Sequence, residues 1–567
     1  MHVAVVPSRQ RSGEYSSVLV RQSYREDGKV KHRTLANLSK LPPAVVDTVR
    51  AMLRGEAVGP LSEAFDIVRS LPHGNVLAVL GQIRKLGLDQ MVAARPRRER
   101  ELSVAMIASR VLQPESKLAT VRSFESSTLA SELGVSDAGE DELYAAMDWL
   151  LEQQAKMESA LAKRHLAEGG MVLYDLTSVY LEGSKCPLAR RGYSRDGKRG
   201  LPQIEFGLIT DRKGCPVGVD VFAGNTADPN TVAAQVDKLK NRFGISEVVL
   251  VGDRGMLTSA RIEALKEVGG VSWISALRSS QIEALVKSGH IQLDLFDQRN
   301  LAEISSPDFP GERLVVCKNP ALAQDRARKR EELLLATERE LDKVVEAGRA
   351  GRLKGKDSTG LRVGKLLGRF KVGKHFKLDI TDTDFSYQRD AEGIASESAL
   401  DGTYVIRTSV AEDKLDSQEV VRSYKLLAGV ERAFKTMKSV DLQVRPVHHR
   451  LEDRVRAHIF ICMLAYYVRW HMERAWAPLI FKDEAKPVAQ DVVAPARRSS
   501  SALAKARTQR LADDTAVHSF RSLLVQLATL TKNTVRVPTG SATFDKLAIP
   551  TPLQTRALQL LGLNPSL

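Results

Sequence analysis

Cysteine is scarce in this sequence, and its distribution argues against two kinds of site. The chain has four cysteines in 567 residues. They form no Cys-x-x-Cys pair and no zinc-type spacing, and so few thiols do not make a disulfide framework. We interpret them as structural thiols in a reducing compartment: Cys186, Cys215, Cys317 and Cys462.

Long apolar segments are also missing. The longest apolar run, Ile459 to Val468, is shorter than the ~20 residues that a membrane-spanning helix needs. The first ten residues, MHVAVVPSRQ, lack the apolar core of a signal peptide. The sequence shows no internal repeat. These absences favour a cytoplasmic protein with no membrane partner.

Positive charge, by contrast, is in excess. Lys and Arg number 84 against 69 Asp and Glu, giving a formal net charge of +15 and a pI near 9.5. This balance suits a polyanionic partner, although many basic proteins bind none. The 43% hydrophobic content is that of an ordinary globular protein, and the length allows roughly four domains of ~150 residues.

Two regions precede the first buried strands. Residues 1–60 are predicted to form a small β-module around a hairpin at 15–36, with Gly28 in its turn. Residues 61–170 have helical periodicity in FDIVRSL, NVLAVLGQIRKLGL, ELSVAMIASRVL and ELYAAMDWLLEQQAKM. The basic turn RPRRERE, which contains Arg97 and Arg98, indicates a DNA-binding edge. A solvated linker explains that turn equally well.

Residues 171–280 have the pattern of an α/β domain, in the order strand, strand, strand, helix, strand, helix, strand. The first three strands can pair as a meander, whereas strands joined by helices need crossovers and run parallel. We interpret MVLYDLTSVYL as a first strand ending at Asp175 and SEVVLVGDRGM as a fourth strand ending at Asp253. The loop after the first strand holds five basic candidates for DNA contact: Arg190, Arg191, Arg195, Lys198 and Arg199.

This mixed order resembles the ribonuclease H-like fold, in which the first and fourth strands lie side by side. The resemblance makes Asp175 and Asp253 neighbours. Each aspartate alone is more often a turn or cap residue. Two acids at matching ends of neighbouring strands, with a third acid on a later helix, favour a catalytic site.

The third acid lies in YKLLAGVERAFKTMK, predicted as one helix from Tyr424 to Lys438 with an apolar arc facing a core. Tyr424, Glu431 and Lys438 are seven residues apart and share one line beside that arc, with Lys435 one turn after Glu431. Lys438 is expected to project toward DNA or, alternatively, to pair with solvent or a nearby acid. Taken alone, the stretch fits a surface helix whose Glu431–Lys435 pair contributes a few tenths of a kcal/mol.

Three further regions complete the predicted organisation. Residues 281–409 are interpreted as an insertion, with a long charged helix and a Gly/Lys-rich stretch, and 410–476 as the second part of the core. Residues 477–567 are interpreted as a linker of low order and an appendix. No two of the following histidines have the i,i+4 spacing of a helical metal site, so they are interpreted as core or DNA-facing residues: His448, His449, His458 and His471.

Several motifs, in the right order, resemble bacterial insertion-sequence transposases of the DDE class, in the IS-four superfamily with its Tyr-x2-Arg-x3-Glu-x6-Lys signature. Tyr424, Glu431 and Lys438 fit that spacing, and Leu427 stands where the signature has arginine. YDLTS, GYSRDGKRGLPQ, GNTADPNT, VGDRGM and RPVHHR resemble one long-insertion subgroup. The likeness extends from about residue 13 to residue 476.

The resemblance implies an α/β protein with a ribonuclease H-like mixed-sheet catalytic core interrupted by an insertion, after a β-hairpin and a helical DNA-binding region. It implies two Mg²⁺ ions, for which Mn²⁺ can substitute. Asp175 would bridge the ions, while Asp253 and Glu431 would hold one each; carboxylates suit such hard cations.

By the same resemblance, the protein binds the terminal inverted repeats of its element, cleaves the ends and transfers the 3′-hydroxyls to target DNA. It would act as a homodimer on paired ends, associated with the bacterial nucleoid. Two alternatives stay open: a ribonuclease H-like nuclease without strand transfer, and a catalytically silent DNA-binding descendant.

Overall fold

The computed structural model describes residues 1–10, 13–56, 65–198, 200–292, 300–537 and 542–564. Its N-terminal module is an antiparallel sheet with one helix: β1 (His2–Gln10), β2 (Gly13–Glu26), β3 (Lys29–Asn37) and α1 (Pro43–Leu53). Strands β2 and β3 form a hairpin whose turn residues, Asp27 and Gly28, have φ values of +50° and +73°. A tight turn of the type I′ kind requires this left-handed backbone, which glycine adopts without strain.

A helical region follows, with the elements β4 (Asp66–Pro72), α2 (Gly74–Lys85), α3 (Leu88–Val92), α4 (Arg98–Leu112), α5 (Lys117–Ser123), α6 (Leu129–Glu132), α7 (Glu140–Glu152) and α8 (Gln154–His165). The prediction of a helix for FDIVRSL is wrong, because that stretch forms strand β4. Its ladder partner is β15 (Thr531–Arg536), near the other end of the chain. Local periodicity cannot reveal so distant a partner, and a short apolar run fits either structure.

The central sheet has eight strands: β5 (Met171–Tyr180), β6 (Gln203–Asp211), β7 (Pro216–Ala223), β8 (Val248–Gly252), β9 (Val271–Ala276), β10 (Leu301–Ile304), β11 (Arg313–Lys318) and β14 (Thr403–Thr408). Strands β12 (Phe376–Ile380) and β13 (Phe385–Arg389) form a separate small hairpin. The strand order of the central sheet is β10-β11-β14-β9-β8-β5-β6-β7. Strands β5, β6 and β7 form the predicted antiparallel meander, whereas β8 is parallel to both β5 and β9. The predicted mixed α/β sheet is therefore confirmed.

Three helices connect these strands: α9 (Asp228–Asp237), which continues as a π-helical turn (Lys238–Arg242), α10 (Ser259–Val268) and α11 (Ser279–Lys287). The predicted insertion boundaries differ from the structure. Strands β10, β11 and β14 lie within 281–409, yet they extend the central sheet. Strand β10 pairs with its neighbour β11, but β11 pairs with β14 and β14 with β9, which are distant in sequence, so the short apolar runs gave no sign of the sheet extension.

The part of 281–409 that leaves the sheet is helical and has its own core. It contains α12 (Pro320–Arg349), α13 (Lys356–Phe370), a short 3₁₀ turn (Gly373–His375), the β12–β13 hairpin and α14 (Ala391–Ala399). Leu334, Leu341 and Val363 belong to a hydrophobic cluster distinct from that of the sheet. The long charged helix is therefore packed along one face.

The stretch predicted as one helix from Tyr424 to Lys438 is two helices, α15 (Ser417–Lys425) and α16 (Leu427–Lys438). At the junction the Leu426 amide donates to the Ser423 carbonyl (3.1 Å), and the Gly429 amide donates to the Leu426 carbonyl (2.7 Å). These i→i−3 bonds tighten the turn between the two helices. The apolar arc of α16 faces the sheet as predicted, with Phe434 edge-on to Phe206 of β6 at 5.4 Å.

Helix α17 (Glu452–Ala475) is mostly buried and packs on both β7 and the helical region. No helix in the described part of the chain is long and apolar enough to cross a membrane.

The last region is an integral part of the structure rather than a linker and appendix. It contains α18 (Ser500–Thr508), α19 (Phe520–Ala528), β15, β16 (Thr543–Leu547) and α20 (Pro552–Leu561). Helices α19 and α20 pack on α2, and the Trp476 indole donates to the Ala557 carbonyl (2.9 Å). The polar composition of the C-terminal region concealed the apolar faces of α19 and α20 that pack on the helical region.

This packing predicts that a C-terminal core residue contributes to the stability of the whole protein. Leu558→Ala, at a fully buried position of α20, should lower the free energy of unfolding by about 2–5 kcal/mol. Leu503→Ala is the matched control, because Leu503 of α18 is 56% exposed. Urea unfolding measures both. Equal, small effects would show that the C-terminal region is dispensable for stability.

Candidate active site

Two aspartates are brought together by the parallel pairing of β5 with β8. The last paired residues of that ladder are Tyr174 and Gly252, so Asp175 and Asp253 follow it directly on neighbouring strands. The expectation that the first strand ends at Asp175 is wrong, since β5 continues to Tyr180. Beyond Tyr174, β5 is paired on one side only, with β6. The carboxylate therefore lies where one side of the strand becomes open.

Glu431 completes the acidic group from α16, which packs against β5. Asp175, Asp253 and Glu431 all line two clefts that meet between them. The first cleft, of about 570 Å³, also contains Thr177, Arg195, Asp196, Asp228, Lys435, Lys438 and Arg445. The second cleft, of about 540 Å³, also contains Arg254, Arg326, Tyr404, Tyr424 and Leu427. The three predicted acids thus share one site.

Asp175 is the electrostatically strained member. Burial raises the pKa of its carboxyl to about 7, and the negative charges of Asp253 and Glu431 add to the rise. The Leu176 amide donates to Asp175 Oδ1 (2.8 Å) and opposes this effect. A buried carboxyl beside two others favours the proton-bound form unless a cation neutralises it.

The donor set of the site fits a hard divalent cation. The acids offer carboxylate oxygens, which are the ligands that Mg²⁺ takes. No histidine or cysteine of the described residues lines either cleft. The three carboxylates do not form a cluster with all ligand atoms within 4.8 Å. A site spread over two ions, about 3.5–4 Å apart, needs no such single cluster.

Two acids that the sequence left aside also lie in or beside the first cleft. Arg195 Nη2 donates to both oxygens of Asp228 (2.7 Å each), and Arg195 Nη1 lies 3.5 Å from Glu205 Oε1. Burial raises the pKa of Glu205 to about 7. Asp228 begins α9 and Glu205 lies in the apolar strand β6, so neither stands out from the sequence as a site residue. Arg195 is thus paired with two acids, and its contact with DNA stays a prediction.

Lys438 also has an acidic partner. Its Nζ lies 3.1 Å from Asp196 Oδ1, and Arg445 Nη1 lies 2.6 Å from the same oxygen. Asp196 and Lys438 side chains are only 4% and 11% exposed. The pair ties the loop after β5 to the end of α16. This geometry matches the alternative in which Lys438 pairs with a nearby acid.

The remaining predicted DNA contacts are dispersed. Lys435 is exposed in the first cleft, and Tyr424 is half-buried in the second, where burial and the charge of Asp253 raise its pKa. Arg190, Arg191 and Lys198 are exposed on the loop between β5 and β6. Arg199 lies outside the described residues.

Arg97 and Arg98 lie on the helical region, away from both clefts. Arg97 pairs with Glu99 and lies over the Trp149 ring, and Arg98 pairs with Asp137 and Glu142. Their charges are compensated locally, so a role in DNA binding stays a prediction.

Sequence reasoning missed the basic wall of the second cleft. Arg254 follows Asp253 directly, and Arg326 reaches the cleft from α12 of the inserted helices. Leu427, at the position of the signature arginine, is buried where α16 begins. Placing cations on this wall from sequence would require knowing where α12 packs.

Comparison with known proteins finds two matching family models. A family model described as the transposase DDE domain matches residues 169–468, more than half of the chain, and includes all three acids. A second model, the N-terminal domain of IS1634 family transposases, matches residues 3–59. None of the curated proteins matches this sequence.

Among solved structures, the chain is similar to piggyBac transposase in a synaptic complex with hairpin DNA, at 9% identity and a TM-score of 0.35 over 81% of this chain and 79% of the other. It is also similar to Mos1 transposase in a paired-end complex with the left transposon end, at 12% identity and a TM-score of 0.14 over 49% and 78%. Because the DDE model spans more than half of the sequence, this chain belongs to the transposases that carry the DDE domain.

Proposed function

We propose that Asp175, Asp253 and Glu431 are the catalytic acids of this DNA transposase and that they hold two Mg²⁺ ions. The observation that carries the proposal is the β5–β8 ladder, which ends just before both aspartates, together with the packing of α16 on β5. When bound, the ions supply activation of the attacking water or 3′-hydroxyl and stabilisation of the leaving oxygen.

The chain's own residues position the DNA and shape the site. Lys435 is exposed in the first cleft, and Arg254 and Arg326 line the second. We infer that phosphates of the reacting strands are held by these cations, one strand in each cleft. Arg195, fixed by Asp228, stays close enough to Asp175 to lower its pKa and so favours the ionised carboxylate.

We extend this proposal to the fold of the core, the superfamily, the substitute ion, the oligomeric state and the location in the cell. The strand order β7-β6-β5-β8-β9, with β5 antiparallel to β6 and parallel to β8, supports a ribonuclease H-like core. We infer membership of the IS-four superfamily, Mn²⁺ as a substitute ion, homodimers on paired ends, and action at the nucleoid in the cytoplasm.

Recognition of the element's terminal repeats is proposed for the N-terminal and helical regions. A fragment of residues 1–170 would lack β15, which pairs with β4, and α17, which packs on α4 and α7. The full chain is therefore the proper material for testing end preference.

Replacing any one triad acid by its amide should abolish cleavage in Mg²⁺ while end binding persists. The amide keeps the shape but removes the negative charge that a cation needs. Gel-based cleavage and joining assays with end DNA and target DNA measure both steps; Asp308→Asn, on a loop outside both clefts, is the control. Near-normal cleavage by one amide variant would remove that residue from the site. Nicked DNA without joined product from the unaltered protein would favour a nuclease.

Mg²⁺ binding should strengthen as pH rises through 7. Asp175 has a pKa raised to about 7 from the ordinary 3.8, so without metal its ionisation destabilises the fold progressively as pH rises between these values. A cation replaces the proton, and the apparent affinity should be about tenfold weaker at pH 6 than at pH 8. Thermal-shift titration with Mg²⁺ measures this. Asp175→Asn should remove the pH dependence; an unchanged dependence would assign it to another group.

Lys435 and Lys438 should differ in their effect on DNA binding. Lys435→Ala should weaken binding to all sequences and lower the salt slope by about one unit, because an exposed phosphate contact is lost. Lys438→Ala should leave the slope unchanged but lower cleavage, since Asp196 on the loop after β5 loses one of its two cationic partners and keeps only Arg445. Binding measured against salt concentration distinguishes them. A lower slope for Lys438→Ala would show that Lys438 leaves Asp196 to contact DNA.

A further inference from the structure

Three potential metal ligands meet at the end of the sheet where β5 begins, away from the acidic triad. They are His165, Cys215 and His471, and their ligand atoms all lie within 4.8 Å of one another. Cys215 Sγ is 4.0 Å from Nε2 of each histidine. Among the described residues, this is the one group of three such side chains that converges so closely.

The ligands come from three different elements. His165 is the last residue of α8, Cys215 follows the turn after β6, and His471 lies near the end of α17. They are 50 and 256 residues apart along the chain, so no sequence spacing reveals them. The three elements are held together because α8 and α17 both pack on β7, the strand that Cys215 immediately precedes. The convergence is therefore built by the core fold.

The distances are close to those of a zinc site. With Zn–S of about 2.3 Å and Zn–N of about 2.0–2.1 Å, tetrahedral geometry places sulfur and nitrogen about 3.6 Å apart. Each Sγ–Nε2 distance would have to shorten by about 0.4 Å, which side-chain torsions supply. One thiolate and two imidazoles are softer donors than carboxylates, and they suit zinc rather than magnesium.

The surroundings favour a closed site. Cys215 and Tyr467 are fully buried, and the two histidines are half-buried. Tyr467 Oη lies 3.0 Å from His165 Nε2. The hydroxyl oxygen is therefore placed to serve as the fourth ligand or to orient a water molecule in that position. The catalytic clefts contain none of these residues.

We propose that His165, Cys215 and His471 bind one Zn²⁺ ion with a structural role. The Cys215 thiol gives up its proton to solvent as the Zn–S bond forms, and the imidazoles coordinate through Nε2. The ion cross-links the helical region, the central sheet and α17. This inference is independent of the proposed catalytic role of the triad.

Cobalt substitution tests the site in the full-length protein. Asp175→Asn serves as the background, so that the catalytic carboxylates compete less for the ion. The metal-free protein titrated with Co²⁺ should develop a sulfur-to-cobalt charge-transfer band with one ion per chain, and Zn²⁺ should abolish it. Carboxylates cannot produce this band. Its absence from a protein with all four cysteines intact would overturn the proposal.

Single substitutions assign the ligands. Cys215→Ser should eliminate the band, and His471→Gln should weaken Co²⁺ binding by about tenfold or more. Cys462→Ser is the matched control, because Cys462 is also fully buried and lies 3.9 Å from His458 Nε2 without belonging to a three-ligand group. A band that persists in Cys215→Ser or disappears in Cys462→Ser would refute the assignment. If Cys215→Ser does not fold, His471→Gln decides: unchanged Co²⁺ affinity in that variant would contradict the site.

Discussion

The parallel ladder between β5 and β8 is the constraint on which this structure depends. It brings Asp175 on β5, which is partly buried, beside Asp253 just after the end of β8, which is exposed. Burial and like charge then make the ionised form of Asp175 unfavourable until a cation is present. Other parts of the core complete the site around these two aspartates. Helix α16 adds Glu431, and the ion pairs Arg195–Asp228 and Lys438–Asp196 hold the loop after β5, which forms one wall of the first cleft.

The sequence predicted the parts of the site that lie on strongly patterned elements. Asp175 lies in a continuous apolar strand and Asp253 directly follows another, so the strand order determines their neighbours, and Glu431 borders a regular apolar arc. Charged side chains were harder to predict. Whether Lys438 faces DNA or an acid depends on Asp196, which comes from a loop about 240 residues earlier and carries no periodic signal.

Long-range pairing explains the errors in the fold. Strand β4 pairs with β15, and β10 and β11 join the central sheet through β14. In each case the short local pattern fits more than one structure, and the distant partner selects one. The C-terminal region was misjudged for the same reason, because its apolar faces become evident only when α2 is placed against α19 and α20. Likewise, His165, Cys215 and His471 become a cluster only in three dimensions.

The location of bound divalent ions tests the central claim most directly. Crystals of the protein with element-end DNA, grown with Mn²⁺, would give anomalous difference peaks at the metal positions. The account predicts peaks bounded by Asp175, Asp253 and Glu431, where the two clefts meet. Strong peaks elsewhere in the protein, with none among these three carboxylates, would contradict it.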